Sequence, residues 1–169
     1  MQSSICEMCL NSDALCSICK SKLERGETNQ IEINISRFIN ELSRKVRSLE
    51  NVKIEKAIES GTIVIVTAKG DAGKMVGKGG TIVKALAKKF GKPIKIIEKT
   101  EVMRDFMQSL ISPAMITGVN IIYTPDGEIY KLRISSEHKK NMTIEKEDIM
   151  KIGSSVFDKK IEIIFENQF

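Results

Sequence analysis

The chain has 169 residues, with 27 Lys and Arg against 22 Asp and Glu for a net charge of +5, and 41% hydrophobic residues. That content supports a packed core and excludes wholesale disorder. The longest apolar run, Ile63 to Val66, fits a buried strand and is far too short for a membrane span. No basic-then-apolar leader opens the chain, so a soluble, cytoplasmic protein with no membrane partner is expected.

Residues 1–27 hold all four cysteines and are otherwise small and polar, so they read as a separate unit. Cys6-x-x-Cys9 and Cys16-x-x-Cys19 stand six residues apart. Each pair can fold as a tight knuckle that aims two thiolates at one ion, and two knuckles complete an all-sulfur tetrahedron suited to structural Zn2+. An iron–sulfur cluster uses the same ligands and stays open. Disulfides are disfavoured in a reducing compartment, and a redox pair needs a βαβ setting that is absent. With almost no apolar core predicted there, the metal would supply the folding energy of this stretch.

Thr28 is a candidate cap for a helix to about Leu49, with Ile31, Ile35, Phe38, Ile39, Leu42, Val46 and Leu49 on one stripe. A strand over Ile31, Ile33 and Ile35 competes for its first turn. Val52, Ile54 and Ile58 predict a half-buried strand, broken at Gly61. Thr62 to Thr67 is a β-branched run and reads as a central strand. A short helix near Asp71–Val76, a glycine cluster, and a helix carrying Ile82, Val83, Leu86, Ala87 and Phe90 follow. Gly91 stops that helix, and Pro93 introduces a strand at Ile94–Ile97. Beyond it come a helix with Val102, Met103, Phe106, Met107, Leu110 and Ile111 on one face, ended at Ser112-Pro113, and strands at Met115–Tyr123 and Glu128–Ile134 about a Pro125-Asp126-Gly127 turn. A helix near Ile144–Ser155 and a strand at Ile161–Phe165 complete the prediction. The two stretches repeat one order of elements, which predicts a duplicated α+β unit with helices on one face of each small sheet.

The excess charge is local. Residues 69–99 contain nine lysines and two acids, whereas residues 1–68 are balanced and residues 100–169 carry two more acids than bases. Such a concentrated patch suits a polyanion, although a solvated helix face is the plain alternative. Inside it stands Gly77-Lys78-Gly79-Gly80. A nucleotide P-loop fails, because Lys74 precedes Met75 and Lys78 precedes Gly79 where a hydroxyl is required. A dinucleotide fingerprint fails too, since Ile82 stands where its third glycine belongs. A Gly-x-x-Gly phosphate clamp between two helices fits: glycine lets the backbone approach an anion, and the helix N-terminus and Lys78 add positive charge. Bases of a single strand would lie beside the second helix and the strand Ile94–Ile97, about four nucleotides in all.

The stretch from Asp71 to Glu98 resembles a type II K-homology (KH) domain. The segment from Ile111 to Ile134 is similar to the start of the second KH domain of NusA-like transcription factors. The whole chain, cysteines included, resembles archaeal NusA-like KH proteins. The resemblance implies an RNA-binding protein linked to transcription, built as a four-cysteine module (1–27), a type II KH domain (28–100) and a degenerate KH-like domain (101–169); with one histidine and no Ser-His or Cys-His arrangement, no enzyme activity is expected. Expected RNA contacts are Lys74, Gly77, Lys78, Gly79, Gly80, Lys84, Lys88 and Lys95; expected metal ligands are Cys6, Cys9, Cys16 and Cys19. In the second unit Ser136 to Thr143 contains no glycine, so a backbone clamp is not expected there, and His138 reads as a loop residue. Single-stranded RNA is the expected partner, with RNA polymerase or the ribosome as a possible protein partner. The alternative function is an assembly or scaffold protein in which protein contacts dominate.

Overall fold

The computed structural model describes residues 2–167; residues 1, 168 and 169, the outer ends of the first and last predicted modules, lie outside the described residues. Two compact units form, residues 1–99 and 100–169.

The first unit begins with two short helices in the cysteine stretch, α1 (Glu7–Leu10) and α2 (Ser17–Glu24), neither of them predicted. Helix α3 spans Gln30–Ser43 and wins over the competing strand. Its cap is Asn29, whose side chain accepts from the Glu32 amide, one residue past the predicted Thr28. Thr28 is occupied elsewhere: it is buried, meets the Ser4 hydroxyl at 2.8 Å and donates to the Glu32 carboxylate. The predicted helix to Leu49 ends early, and Arg47–Leu49 forms a separate 3-10 turn.

Strands β1 (Ile54–Glu59), β2 (Ile63–Thr67) and β3 (Ile94–Glu98) make one sheet with β2 at its centre, antiparallel to β1 and parallel to β3. All five residues of β2 are buried, as its unbroken β-branched run requires of a central strand. Helices α4 (Ala72–Val76) and α5 (Thr81–Phe90) connect β2 to β3 and pack on β3. Ile35 and Ile39 of α3, Ile63 and Ile65 of β2, Met75 of α4 and Leu86 of α5 form the core.

The cysteine stretch has more apolar packing than its composition suggests. Ile5, Cys9, Leu10 and Cys19 are buried together with Ile33 of α3. Arg37 of α3 donates to the Cys9 carbonyl at 3.0 Å, and Gln2 pairs with Lys53 next to β1. The cysteine stretch, expected to have almost no apolar core, packs on α3, because α3 offers Ile33 on a second apolar face.

The second unit repeats the topology. Helix α6 (Met103–Ile111) is followed by β4 (Ile116–Thr124), β5 (Gly127–Ser135), α7 (Lys146–Phe157) and β6 (Lys160–Glu166). The sheet order is β4-β5-β6, antiparallel then parallel. Phe106, Leu110, Leu132, Ile152 and Ile163 are buried, and Phe106 meets Phe157 edge-on. Helices α6 and α7 approach closely at Gly153, where an added Cβ would lie 2.7 Å from the Met107 sulfur. Between β5 and α7 only a 3-10 turn, Ser136–Asn141, stands where the first unit has a helix and glycine loop. Together the two three-stranded sheets and their helices make an α+β, KH-like fold.

Candidate nucleic-acid interface and four-cysteine centre

The glycine loop connects α4 to α5. Gly77 has φ +75°, and a Cβ there would sit 2.6 Å from Ile82 Cγ1 and 2.9 Å from Thr81 Oγ1. Glycine is required at this position twice over, by backbone angle and by space. Gly79 (φ +63°) and Gly80 (φ +74°) are also left-handed, but a Cβ on Gly79 meets nothing within 4 Å. The loop thus has one packed hinge and one open tip. Lys78 is exposed at that tip. A 3-10 turn over Lys78–Gly80 runs into α5, the Thr81 amide donating to the Lys78 carbonyl, so the positive end of the α5 dipole lies at this loop. Replacing Gly77 by Ala should destabilise the domain by about 2 kcal/mol or more, from left-handed strain plus the clash with Ile82. Thermal unfolding of the variant beside Gly79→Ala, which should lose only the strain cost, checks this.

The structure brings together some of the expected lysines and separates others. Lys84 reaches back to the Gly79 carbonyl at 3.3 Å, and Lys88 lies one turn further along the same exposed face of α5. Lys74 is turned toward Asp71, Nζ to Oδ1 2.7 Å. Burial works against the Asp71 carboxylate, but Lys74 and the Lys53 amide together hold its pKa below the ordinary value. Lys95 is not with the helix lysines: Ile94 and Ile96 pack on the α3–α5 core, so strand alternation sends Lys95 to the opposite face of the sheet. It is half-buried there, and burial pushes its ammonium pKa down.

Several other lysines of the basic stretch are tied internally. Lys92 pairs with Glu59 at 2.9 Å, Lys99 with Glu55 at 3.8 Å, and Lys89 lies over the Phe38 ring at 5.8 Å. Of the nine, that leaves Lys78, Lys84 and Lys88 on the loop and α5, and an exposed Lys69 in the turn before α4.

The four cysteines converge. Their sulfurs lie within 4.8 Å of one another, and Cys6 and Cys16 sulfurs are 3.9 Å apart. A tetrahedron with Zn–S bonds of about 2.3 Å has an edge of about 3.8 Å, whereas a disulfide needs about 2.05 Å. All four are free thiols. Backbone amides support the sulfurs: Cys16 N–H donates to Cys9 Sγ at 3.1 Å, Cys6 N–H to Cys19 Sγ at 3.3 Å, and Cys19 N–H to Cys16 Sγ at 3.5 Å. The Cys19 amide and then the Cys9 thiol bring the Cys16 pKa down to about 7. Cys9 receives the Cys16 amide, yet burial and the three neighbouring thiols push it up to about 12. Thiols that hold one another's protons in this way are matched to a cation that would displace them. The donor set and spacing fit a metal ion.

In the second unit, Lys139 and Lys146 lie 5.4 Å and 5.9 Å from the Phe165 ring centre, so part of its loop charge is packed on an aromatic face. Among the described residues no helix is long and apolar enough to cross a membrane.

Residues 25–99 match the family described as the NusA-like first KH domain. Over that stretch the first unit resembles a NusA-like KH domain. Two archaeal relatives carry the description "Probable transcription termination protein NusA". The one from Methanocaldococcus jannaschii is 26% identical over 111 residues, which is 63% of this chain and 61% of the relative. The one from Methanococcus vannielii is 36% identical over 66 residues, 39% of this chain and 38% of the relative. The chain therefore spans about three fifths of the first relative and under two fifths of the second. The solved structure titled "Crystal structure of APE1850" superposes with a TM-score of 0.56 at 18% identity, covering 76% of this chain and 96% of that one, a likeness of fold.

Proposed function

We propose that this protein grips single-stranded RNA through the backbone of Gly77–Gly80 and the Lys78, Lys84 and Lys88 ammoniums, as a factor acting in transcription. The observation that carries the reading is the loop itself. Its hinge accepts only glycine, its tip is open, and it sits at the head of α5 inside the one strongly basic segment. A backbone so exposed can approach a phosphate closely, while the lysine ridge along α5 continues the positive track. The names of the archaeal relatives support transcription as the setting. We read the chain as three modules with the boundaries expected from sequence, the four-cysteine module binding one structural Zn2+ and the second KH-like unit serving a packing or docking role.

The number of phosphates contacted is testable through salt. Three clustered lysines predict a slope of log K against log salt of about −2 for a single strand, where nine would give about −6. Fluorescence anisotropy with a labelled oligoribonucleotide over ~50 to ~300 mM KCl measures it. Binding should also favour single strands over duplex, and equal affinity for both would sink the KH reading. A pull-down with and without nuclease separates the scaffold alternative: protein partners that survive removal of RNA would favour it.

A further inference from the structure

We propose that the free edge of β4 is a pairing surface for the same edge of a second copy of this chain, the two hairpins joining antiparallel about Ile122. Each three-stranded sheet has two edges, and an unguarded edge offers its amides and carbonyls to any passing strand. Three of the four carry charges that discourage this. Strand β1 has Glu55, Lys56 and Glu59; β3 has Lys95 and Glu98; β6 has Lys160, Glu162 and Glu166.

Strand β4 reads Ile-Thr-Gly-Val-Asn-Ile-Ile-Tyr-Thr, with no charge and no proline across nine residues. Its outer half is rich in β-formers and exposed: Ile121, Ile122 and Tyr123 all present apolar surface, Tyr123 at 76%. β4 pairs with β5 on one side only, through Thr124↔Gly127 at the turn and Ile122↔Ile129 beyond it.

The occupant follows from the sequence of the edge. Without charge, β4 gains nothing from selecting an acidic or basic strand. Its own copy, laid antiparallel with Ile122 opposite Ile122, places Ile121 against Tyr123 and Asn120 against Thr124. Every cross-strand pair is then apolar with apolar or polar with polar, and the aromatic–β-branched pairing is among the favourable ones. Two-fold symmetry makes such a contact self-limiting, because each copy spends its single open edge. The contact is short, so the association is a weak one.

Sedimentation velocity of the full chain from ~5 to ~500 µM, in reductant and after nuclease treatment, should show a monomer–dimer equilibrium. Ile122→Lys and Ile122→Glu each put like charges opposite one another and should weaken the dimer at least ~10-fold. Mixing the two variants should restore it, which a contact elsewhere would not do. Tyr123→Lys, at a highly exposed position, tests the same edge should either Ile122 variant prove unfolded by circular dichroism. A wild type that stays monomeric throughout, a dimer lost with nuclease, or a dimer indifferent to all three substitutions would overturn the proposal.

Discussion

The Lys78→Asp/Gly79→Asp variant should lose single-stranded RNA binding by at least ~100-fold while retaining its fold. The reason lies in the division of the loop into hinge and tip. Gly79 is left-handed, with φ +63° and ψ 20°, and has open space around its would-be Cβ. Asp is one of the few side chains that visits that backbone region, so the folding cost is about 1 kcal/mol. Lys78 is exposed, and its replacement removes no packing. For binding the change is severe: one positive charge becomes two negative ones at the position proposed to face phosphate, and two side chains crowd a backbone that must come close. Circular dichroism and thermal unfolding check the fold; anisotropy with a labelled oligoribonucleotide checks the binding. A folded double variant that binds as tightly as wild type would place the RNA elsewhere. Gly77 is the wrong position for this experiment, because substitution there disturbs α5 through Ile82.

Much of this was legible because local pattern and tertiary demand agreed. The β-branched run of β2 could only be a central strand, and Gly91, at φ +66°, ends α5 where an apolar stripe stops. The Pro125-Asp126-Gly127 signal formed the turn between β4 and β5 as expected. The element order alone was enough to suggest the KH-like fold. Where the structure departs from the local pattern, side-chain partners and strand alternation account for it. Thr28 looks like a cap, but Ser4 and Glu32 claim its hydroxyl, so Asn29 takes the position. Lys92 and Lys99 count toward a basic patch until β1 supplies Glu59 and Glu55. Lys95 is one residue from Ile94 and Ile96, and that single step of strand alternation sends it to the other face. The contact of Ile33 with the cysteine stretch was hidden because α3 was read with one apolar stripe, whereas it buries two.

The four-cysteine centre gives the second large expected effect. Purified under reducing conditions, the protein should contain one zinc per chain, bound by Cys6, Cys9, Cys16 and Cys19. X-ray absorption should report four sulfur neighbours at about 2.3 Å. Cys16→Ser should abolish metal retention, since Cys16 both contributes a ligand and receives the Cys19 amide that draws its pKa toward neutrality. The remaining thiols would then reprotonate, and α1 and α2 are too short to persist alone. Their packing on α3 sets how far the damage travels. Ile5, Leu10 and Ile33 lose one another, and the Arg37 contact with the Cys9 carbonyl goes with them. The loss should therefore register as a lower unfolding temperature of the first unit, beyond local melting of residues 1–27. The α3 face toward β2 keeps Ile35 and Ile39, so the domain should still fold. RNA affinity should fall only a few-fold, because the loop and α5 are held by that separate core. Elemental analysis, thermal unfolding and anisotropy on the same variant measure the three consequences separately. Absence of metal from the reduced wild type would remove the zinc assignment. A loss of RNA affinity near that of the loop variant, in a chain still folded, would place the cysteine module in the RNA interface itself.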